Sequence, residues 1–234
     1  MLNKMTKFSI ATIAVLSLSS TQVIADDWTG FYLGAQAGKT WTSSDLSIDY
    51  VRTSSTRTVE HDHKNEMSSF GLYTGYNYLL SNDILIGAEL AYNWAEDKDI
   101  KRGVYGSTID YELKQKNNVN LTARVGKVIN NTYLPYISMG IAQTEFEGAF
   151  SYSSGASVPA YMGTKSDNVY GWTIGTGVEM KIMDNLHARF QYNYTDYNDA
   201  TLNRTNNHGG SIKTIKETID SKSHALEFGV SYLF

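Results

Sequence analysis

The sequence SHALEFGVSYLF, residues 223–234, alternates between two kinds of side chain. One set of alternate positions is apolar and comprises Leu226, Phe228, Val230, Tyr232 and Phe234. The other set is mostly small or polar and comprises Ala225, Glu227, Gly229, Ser231 and Leu233. A period of two predicts a β-strand with one apolar face. The pattern fits either a strand of a soluble sandwich or a lipid-facing strand of an outer-membrane barrel.

The amino-terminal segment indicates export. Lys4 and Lys7 precede an apolar run at 8–18, and Val23-Ile24-Ala25 provides a small-residue cleavage pattern. These features predict a signal peptide over residues 1–25, removed after Ala25, and a single mature domain over residues 26–234.

The composition excludes several classes of protein. The formal net charge is −4, which argues against a nucleic-acid partner. The chain has no cysteine for disulfides, and no later apolar run reaches the roughly 18 residues of a membrane-spanning helix. Nineteen glycines and seventeen tyrosines against two prolines favour β structure at an interface between apolar and wet surroundings.

Seven earlier segments alternate in the same way as the last one. They are residues 31–41, 67–79, 84–94, 118–128, 133–143, 168–180 and 186–197. Each is long enough to cross a bilayer at a tilt. The strand count is therefore eight, an even number.

The connections between these segments are alternately long and short. Short turns are predicted at 81–83, 130–131 and 184–185, and long polar loops at 42–65, 95–116, 144–167 and 198–222. All short turns then lie on one side and all long loops on the other. The sequence predicts an all-β fold, an eight-stranded antiparallel up-and-down transmembrane β-barrel with short periplasmic turns and four long extracellular loops.

The inward positions of these strands carry the charges. They are Glu89, Arg124, Glu179, His187, Arg189 and Glu227. Because an eight-stranded barrel has an interior just wide enough for side chains, we expect a lumenal polar network that fills it. A small or gated conductance, and a proton or ion path, remain alternatives at this stage.

One loop segment could bind a ligand. In Glu60-His61-Asp62-His63, the two histidines fall on the same face if the chain is extended, a workable spacing for haem iron or a divalent metal. The alternative is a hydrophilic loop whose charges meet only water. His61 and His63 are therefore the candidate haemin-binding residues, and no resident cofactor or metal is predicted.

Catalysis has no sequence signature. Nucleotide, phosphate-loop and zinc-protease motifs are absent, and no nucleophile, base and acid can be grouped from the sequence. The sequence thus favours a non-enzymatic protein.

Three stretches resemble a known family. Trp28–Gly34 (WTGFYLG), Gly75–Tyr78 (GYNY) and the terminal Phe234 resemble opacity-type outer-membrane surface antigens, and more broadly the OmpA/OmpX-like eight-stranded barrels. The resemblance implies the outer membrane of a Gram-negative bacterium and a surface antigen or adhesin with a role in envelope integrity, serum resistance or haemin binding. It also implies partners: outer-membrane lipid and lipopolysaccharide, the barrel-assembly machinery that reads Phe234, and host surface or serum proteins.

Overall fold

The computed structural model describes residues 28–52, 56–95, 102–103, 109–152, 161–205 and 212–234. The predicted signal peptide lies outside these residues. The described part of the chain contains no helix long and apolar enough to cross a membrane.

The described residues form nine β-strands. They are β1 (Gly30–Arg52), β2 (Thr56–Leu79), β3 (Ile84–Ala95), β4 (Arg102–Gly103), β5 (Ile109–Lys127), β6 (Tyr133–Tyr152), β7 (Tyr161–Met183), β8 (Leu186–Thr205) and β9 (Ile212–Leu233).

Eight of these strands close into a ring. The order is β3-β2-β1-β9-β8-β7-β6-β5, and β3 pairs with β5 to complete it. All pairings are antiparallel. The two-residue β4 pairs with β5 beyond the point where β3 ends. Closure leaves no strand edge whose backbone N–H and C=O groups would lack hydrogen-bond partners in lipid. The predicted barrel is confirmed.

Three short turns define one end of the barrel, called the turn end below. They lie at residues 80–83, 128–132 and 184–185. Asp83, Asn130 and Asn131 have φ values of 62°, 51° and 51°, a left-handed conformation that Asp and Asn tolerate better than most residues. The three turns are where the sequence predicts them.

The strands are longer than the sequence predicts. The prediction of a loop over 42–65 is wrong for most of its length, because β1 and β2 stay paired from Gly30↔Asn77 to Val51↔Thr56. Similar extensions carry β6 and β7 to Tyr152↔Tyr161, and β8 and β9 to Thr205↔Thr214. Just beyond the apolar band, at residues 42–45 of β1, both strand faces are polar, so the alternation that marks a strand is interrupted although the backbone ladder continues. The end formed by these extensions is called the hairpin end.

The wall has its apolar side outward. Phe228 is 56% exposed and Ile137 60%, whereas their inward neighbours Glu227 and Tyr136 are 3% and 5% exposed. This inverts the arrangement of a soluble sandwich and matches a lipid-facing band. The inward and outward faces predicted from the alternation are confirmed.

Aromatic side chains pack against one another near both ends of this apolar band. Near the hairpin end, Phe70 stacks on Trp94 with ring centroids 5.3 Å apart. Near the turn end, the rings of Tyr232 and Phe234 meet edge to face at 5.1 Å. Such pairs suit the two boundaries between lipid and water.

Candidate functional site

The lumen brings together all six charged or titratable side chains that the sequence places inside. Glu89 comes from β3, Arg124 from β5, Glu179 from β7, His187 and Arg189 from β8, and Glu227 from β9. Each is less than 9% exposed. Side chains of this kind stay buried only when they are paired or hydrogen-bonded. Their contacts therefore show whether they form a network that fills the lumen.

Arg124 lies between two carboxylates. Its Nη1 atom is 3.0 Å from Glu179 Oε2 and 3.8 Å from Glu89 Oε2. Its Nε atom donates to Asn77 Oδ1 at 3.0 Å. The guanidinium also lies over the rings of Tyr32 and Tyr136, 4.8 and 5.2 Å from their centroids. Arg124 is thus held by charge, hydrogen bonding and cation–π contact together.

Arg189 crosses the whole lumen. Its Nη1 atom is 2.5 Å from Glu89 Oε2, although β8 and β3 are on opposite sides of the ring. Its Nη2 atom donates to Gln36 Oε1, and its guanidinium lies 3.4 Å from the centroid of the Tyr73 ring. This side chain ties opposite walls of the barrel together.

Glu227 is held differently. Gln36 Nε2 donates to its Oε1 atom at 2.9 Å, and Gln191 Nε2 and Asn193 Nδ2 donate to its Oε2 atom at 2.8 Å each. No cationic group of the described residues lies within 4.0 Å of this carboxylate. Three neutral amides therefore replace the ion pair that the other two lumenal carboxylates have.

A hydrophobic plug closes the lumen at the turn end. Trp28, just before β1, is fully buried in a cluster with Leu85, Val128, Leu134 and Tyr136. Its Nε1 atom donates to Asn131 Oδ1 at 3.1 Å. The ring of His187 packs 4.6 Å from that of Trp28, while His187 Nδ1 lies 2.8 Å from Glu179 Oε1. His187 thus joins the plug to the ionic layer.

Glycine leaves room for the inward tyrosines. A Cβ atom on Gly34 would lie 2.3 Å from the ring of Tyr73, and one on Gly177 would lie 2.7 Å from that of Tyr136. Neither contact could exist with a larger residue on the neighbouring strand. The tyrosines can therefore lie across the lumen only because their neighbours are glycines.

Several members of this network are missing from the predicted site. They are Tyr32, Gln36, Tyr73, Asn77, Tyr136, Gln191 and Asn193, together with Trp28. Charge is the signal on which the predicted site depends, and neutral inward side chains such as tyrosine do not have it. An inward tyrosine beside an inward glycine is the signal that would have found three of them.

The predicted haemin-binding pair lies in a strand. His61 and His63 are opposite Leu46 and Ser44 in the ladder between β2 and β1. The segment is therefore extended, which is the condition for placing both histidines on one face. Their side chains lie outside the described residues. No group of three metal-ligating side chains occurs among the residues that are described.

The fold and the lumen together define the class. A closed eight-stranded ring, an apolar outer wall with aromatic ends and a filled polar interior are the features of an outer-membrane β-barrel. The family model for the outer membrane protein beta-barrel domain matches residues 8–234. The chain belongs to this family, and the predicted outer-membrane location is confirmed.

The relatives are outer-membrane proteins. The chain is 28% identical over 211 residues to the 25 kDa outer-membrane immunogenic protein of Brucella canis, covering 88% of this chain and 79% of that protein. It is 26% identical over 213 residues to the 31 kDa outer-membrane immunogenic protein of Brucella melitensis, covering 88% of this chain and 84% of that protein.

A solved structure has a similar fold. The outer membrane protein OprG of Pseudomonas aeruginosa aligns with a TM-score of 0.57 at 13% identity, covering 88% of this chain and 98% of that one. At this identity the likeness concerns the fold alone.

Proposed function

We propose that this protein is a non-enzymatic surface protein of the outer membrane that displays its extended hairpins outside the cell as an antigen or adhesive surface. The observation that carries the proposal is the contrast between a filled lumen and long polar hairpins. The lumen holds a connected network with a hydrophobic plug beneath it, and the hairpins extend from the opposite end.

The filled lumen argues for display over transport. Arg189 reaches Glu89 across the ring, so a solute would have to break a buried ion pair to pass. Below that layer it would meet the plug around Trp28. We therefore expect no conductance steps from the purified protein in a planar bilayer, and regular steps would favour the small-pore alternative.

The names of the relatives support the same proposal. Two related proteins are called outer-membrane immunogenic proteins, and they share 26–28% identity with this chain over most of its length. An outer-membrane protein can be recognised on an intact cell only through the part of its chain that lies outside the membrane. In this barrel the hairpin end has the polar surface suited to that exposure.

The test is topological. An epitope tag inserted between Arg52 and Thr56, at the tip of the β1–β2 hairpin, should bind antibody on intact cells. The same tag in the turn at Asn82–Asp83 should bind only after the outer membrane is permeabilised. The reverse labelling pattern, or equal labelling of both tags on intact cells, would contradict the proposal.

Adhesion requires a second experiment. Variants that shorten one hairpin at a time should keep their heat-resistant barrel on unboiled gels, and at least one should lose binding to host cells or serum proteins. If every shortened variant binds as the full-length protein does, the hairpins do not serve adhesion.

Haemin binding is the second candidate function. The backbone at His61 and His63 is extended, and an extended backbone places two residues with this spacing on the same face of the strand. Haemin titration of the His61→Ala/His63→Ala variant should then show a weakened affinity. An unchanged affinity would exclude these two residues from the site.

A further inference from the structure

The described side chains buried in the lumen carry an unequal number of charges. Glu89, Glu179 and Glu227 are carboxylates, whereas Arg124 and Arg189 are the guanidinium groups that face them. A third cation, Lys181, lies close to the turn end and has Asp184 3.7 Å away as its own partner. This layer therefore has one more negative group than positive ones, unless His187 is protonated.

His187 has its own partner in this layer. One ring nitrogen, Nδ1, is in contact with Glu179 Oε1. The other, Nε2, is buried without a hydrogen-bond partner among the described residues, and the ring packs on Trp28. The contacts of the His187 ring are thus with Glu179 and Trp28, near the turn end of the lumen.

Glu227 is the lumenal carboxylate that has no cationic neighbour among the described residues. Glu89 has Arg189 at 2.5 Å, and Glu179 has Arg124 at 3.0 Å. Glu227 accepts hydrogen bonds from neutral amides and has no such cation in the described part of the chain. A buried carboxylate without an opposite charge is the least stable kind of lumenal group.

A cavity lies beside this carboxylate, toward the hairpin end. Its lining is mostly asparagine, serine and threonine, including Asn93, Asn120, Asn193, Thr195 and Ser223. The cavity has room for about two or three water molecules. Asn120 is one of the lining residues, and its buried Oδ1 atom accepts no hydrogen bond from the described part of the chain. The cavity is thus lined by one carboxylate and several neutral oxygen-bearing side chains, and Asn120 among them has an acceptor without a donor in the described part of the chain.

We propose that this cavity binds one monovalent inorganic cation, Na⁺ or K⁺, beside Glu227. Hard cations prefer oxygen ligands, and one positive charge matches the single carboxylate. The cation completes the charge balance of the lumen and occupies the Oδ1 acceptor of Asn120. This site is separate from the display role of the hairpins and does not depend on it.

Cation-dependent stability tests the proposal. The full-length mature protein, folded in detergent micelles, is heated in NaCl, KCl or N-methyl-D-glucamine chloride at one ionic strength and one pH. The unfolding midpoint is read from the loss of the fast-migrating folded band on unboiled gels. We expect the midpoint to rise with Na⁺ or K⁺ and to saturate, because a ligand that binds only the folded state stabilises it.

Variants locate the effect. Glu227→Gln should remove the cation dependence, and Asn120→Ala should shift saturation to higher cation concentration. Glu66→Gln is the matched control, because Glu66 is an exposed carboxylate on the outer wall and its variant should respond as the wild type does. Equal cation dependence in the wild type and Glu227→Gln would overturn the proposal.

A second measurement covers a variant that fails to fold. The ²³Na resonance of the wild type should broaden on binding and sharpen when K⁺ is added as a competitor. A different result would be that no broadening occurs, that the unfolding midpoint is the same in all three salts, and that this midpoint falls as the pH rises. The balancing charge would then be a proton on Glu227 or His187. That outcome also overturns the proposal.

Discussion

Replacing Trp28 by alanine tests whether the plug holds the barrel closed. The side chain is fully buried and packs on Leu85, Val128 and Leu134. A buried aromatic removes about 150–250 Å² from water, and at about 25 cal/mol per Å² this contributes about 4–6 kcal/mol. The lost hydrogen bond to Asn131 adds about 1 kcal/mol. Relaxation of the neighbours recovers part of this, so we expect a loss of about 3–5 kcal/mol, as for other aromatic truncations in cores.

The assay is reversible urea unfolding in lipid vesicles, followed by far-UV circular dichroism so that the loss of a tryptophan does not alter the signal. Trp28→Phe is the control, because phenylalanine keeps most of the apolar contact but cannot donate to Asn131. Its loss should be about 1–2 kcal/mol. If Trp28→Ala costs less than about 1 kcal/mol, the segment before β1 is not packed in the lumen and the plug does not exist in the membrane.

Three other substitutions probe the wall and the lumen. Phe228→Arg places a charge on the lipid face and should cost about 2–4 kcal/mol if the site is near the midplane, whereas normal assembly with unchanged stability would mean that this face is inward. Arg189→Ala leaves Glu89 buried without its closest cation and should cost about 3–5 kcal/mol in the same urea assay. The double variant Arg189→Ala/Glu89→Gln should be less destabilised than the single one, and a fully additive loss would show that the pair is not coupled. Gly34→Ala should slow or prevent formation of the heat-resistant folded band because its Cβ meets the Tyr73 ring, and an unchanged folded yield would contradict the close packing described here.

The sequence predicts the membrane-spanning part of the strands better than their extensions at the hairpin end. Alternation is strongest where one face meets lipid and the other does not, so it marks the membrane band and is interrupted just beyond it. Thr42 and Ser44 continue one face of β1 and Ser43 and Asp45 the other, all with polar side chains, and nothing in this stretch of sequence distinguishes it from a loop. The hairpin extensions depend on backbone pairing with a neighbour that is itself polar.

In the lumenal network, the sequence of one strand predicts which side chains point inward, but the partner of each side chain depends on how several strands are arranged. Period two predicts that Arg189 points inward, but its partner lies on the opposite wall. Glu179 is directly opposite Arg189 in the β7–β8 ladder, yet Arg189 contacts Glu89 of β3. The contact depends on the stagger between strands and on the space left by glycines such as Gly34. A single sequence gives neither quantity.

Charge balance in the lumen is likewise a property of the closed ring. Along the sequence, Glu227 looks like any other inward carboxylate, and its strand β9 pairs with β8, which carries Arg189. Closure directs both guanidinium groups toward the layer that holds Glu89 and Glu179, next to the plug. Glu227 is left one layer further toward the hairpin end, among amides. The same geometry that stabilises two of the carboxylates thus leaves the third without a cationic neighbour in the described part of the chain, which is why the cation site is expected beside Glu227 and nowhere else in this network.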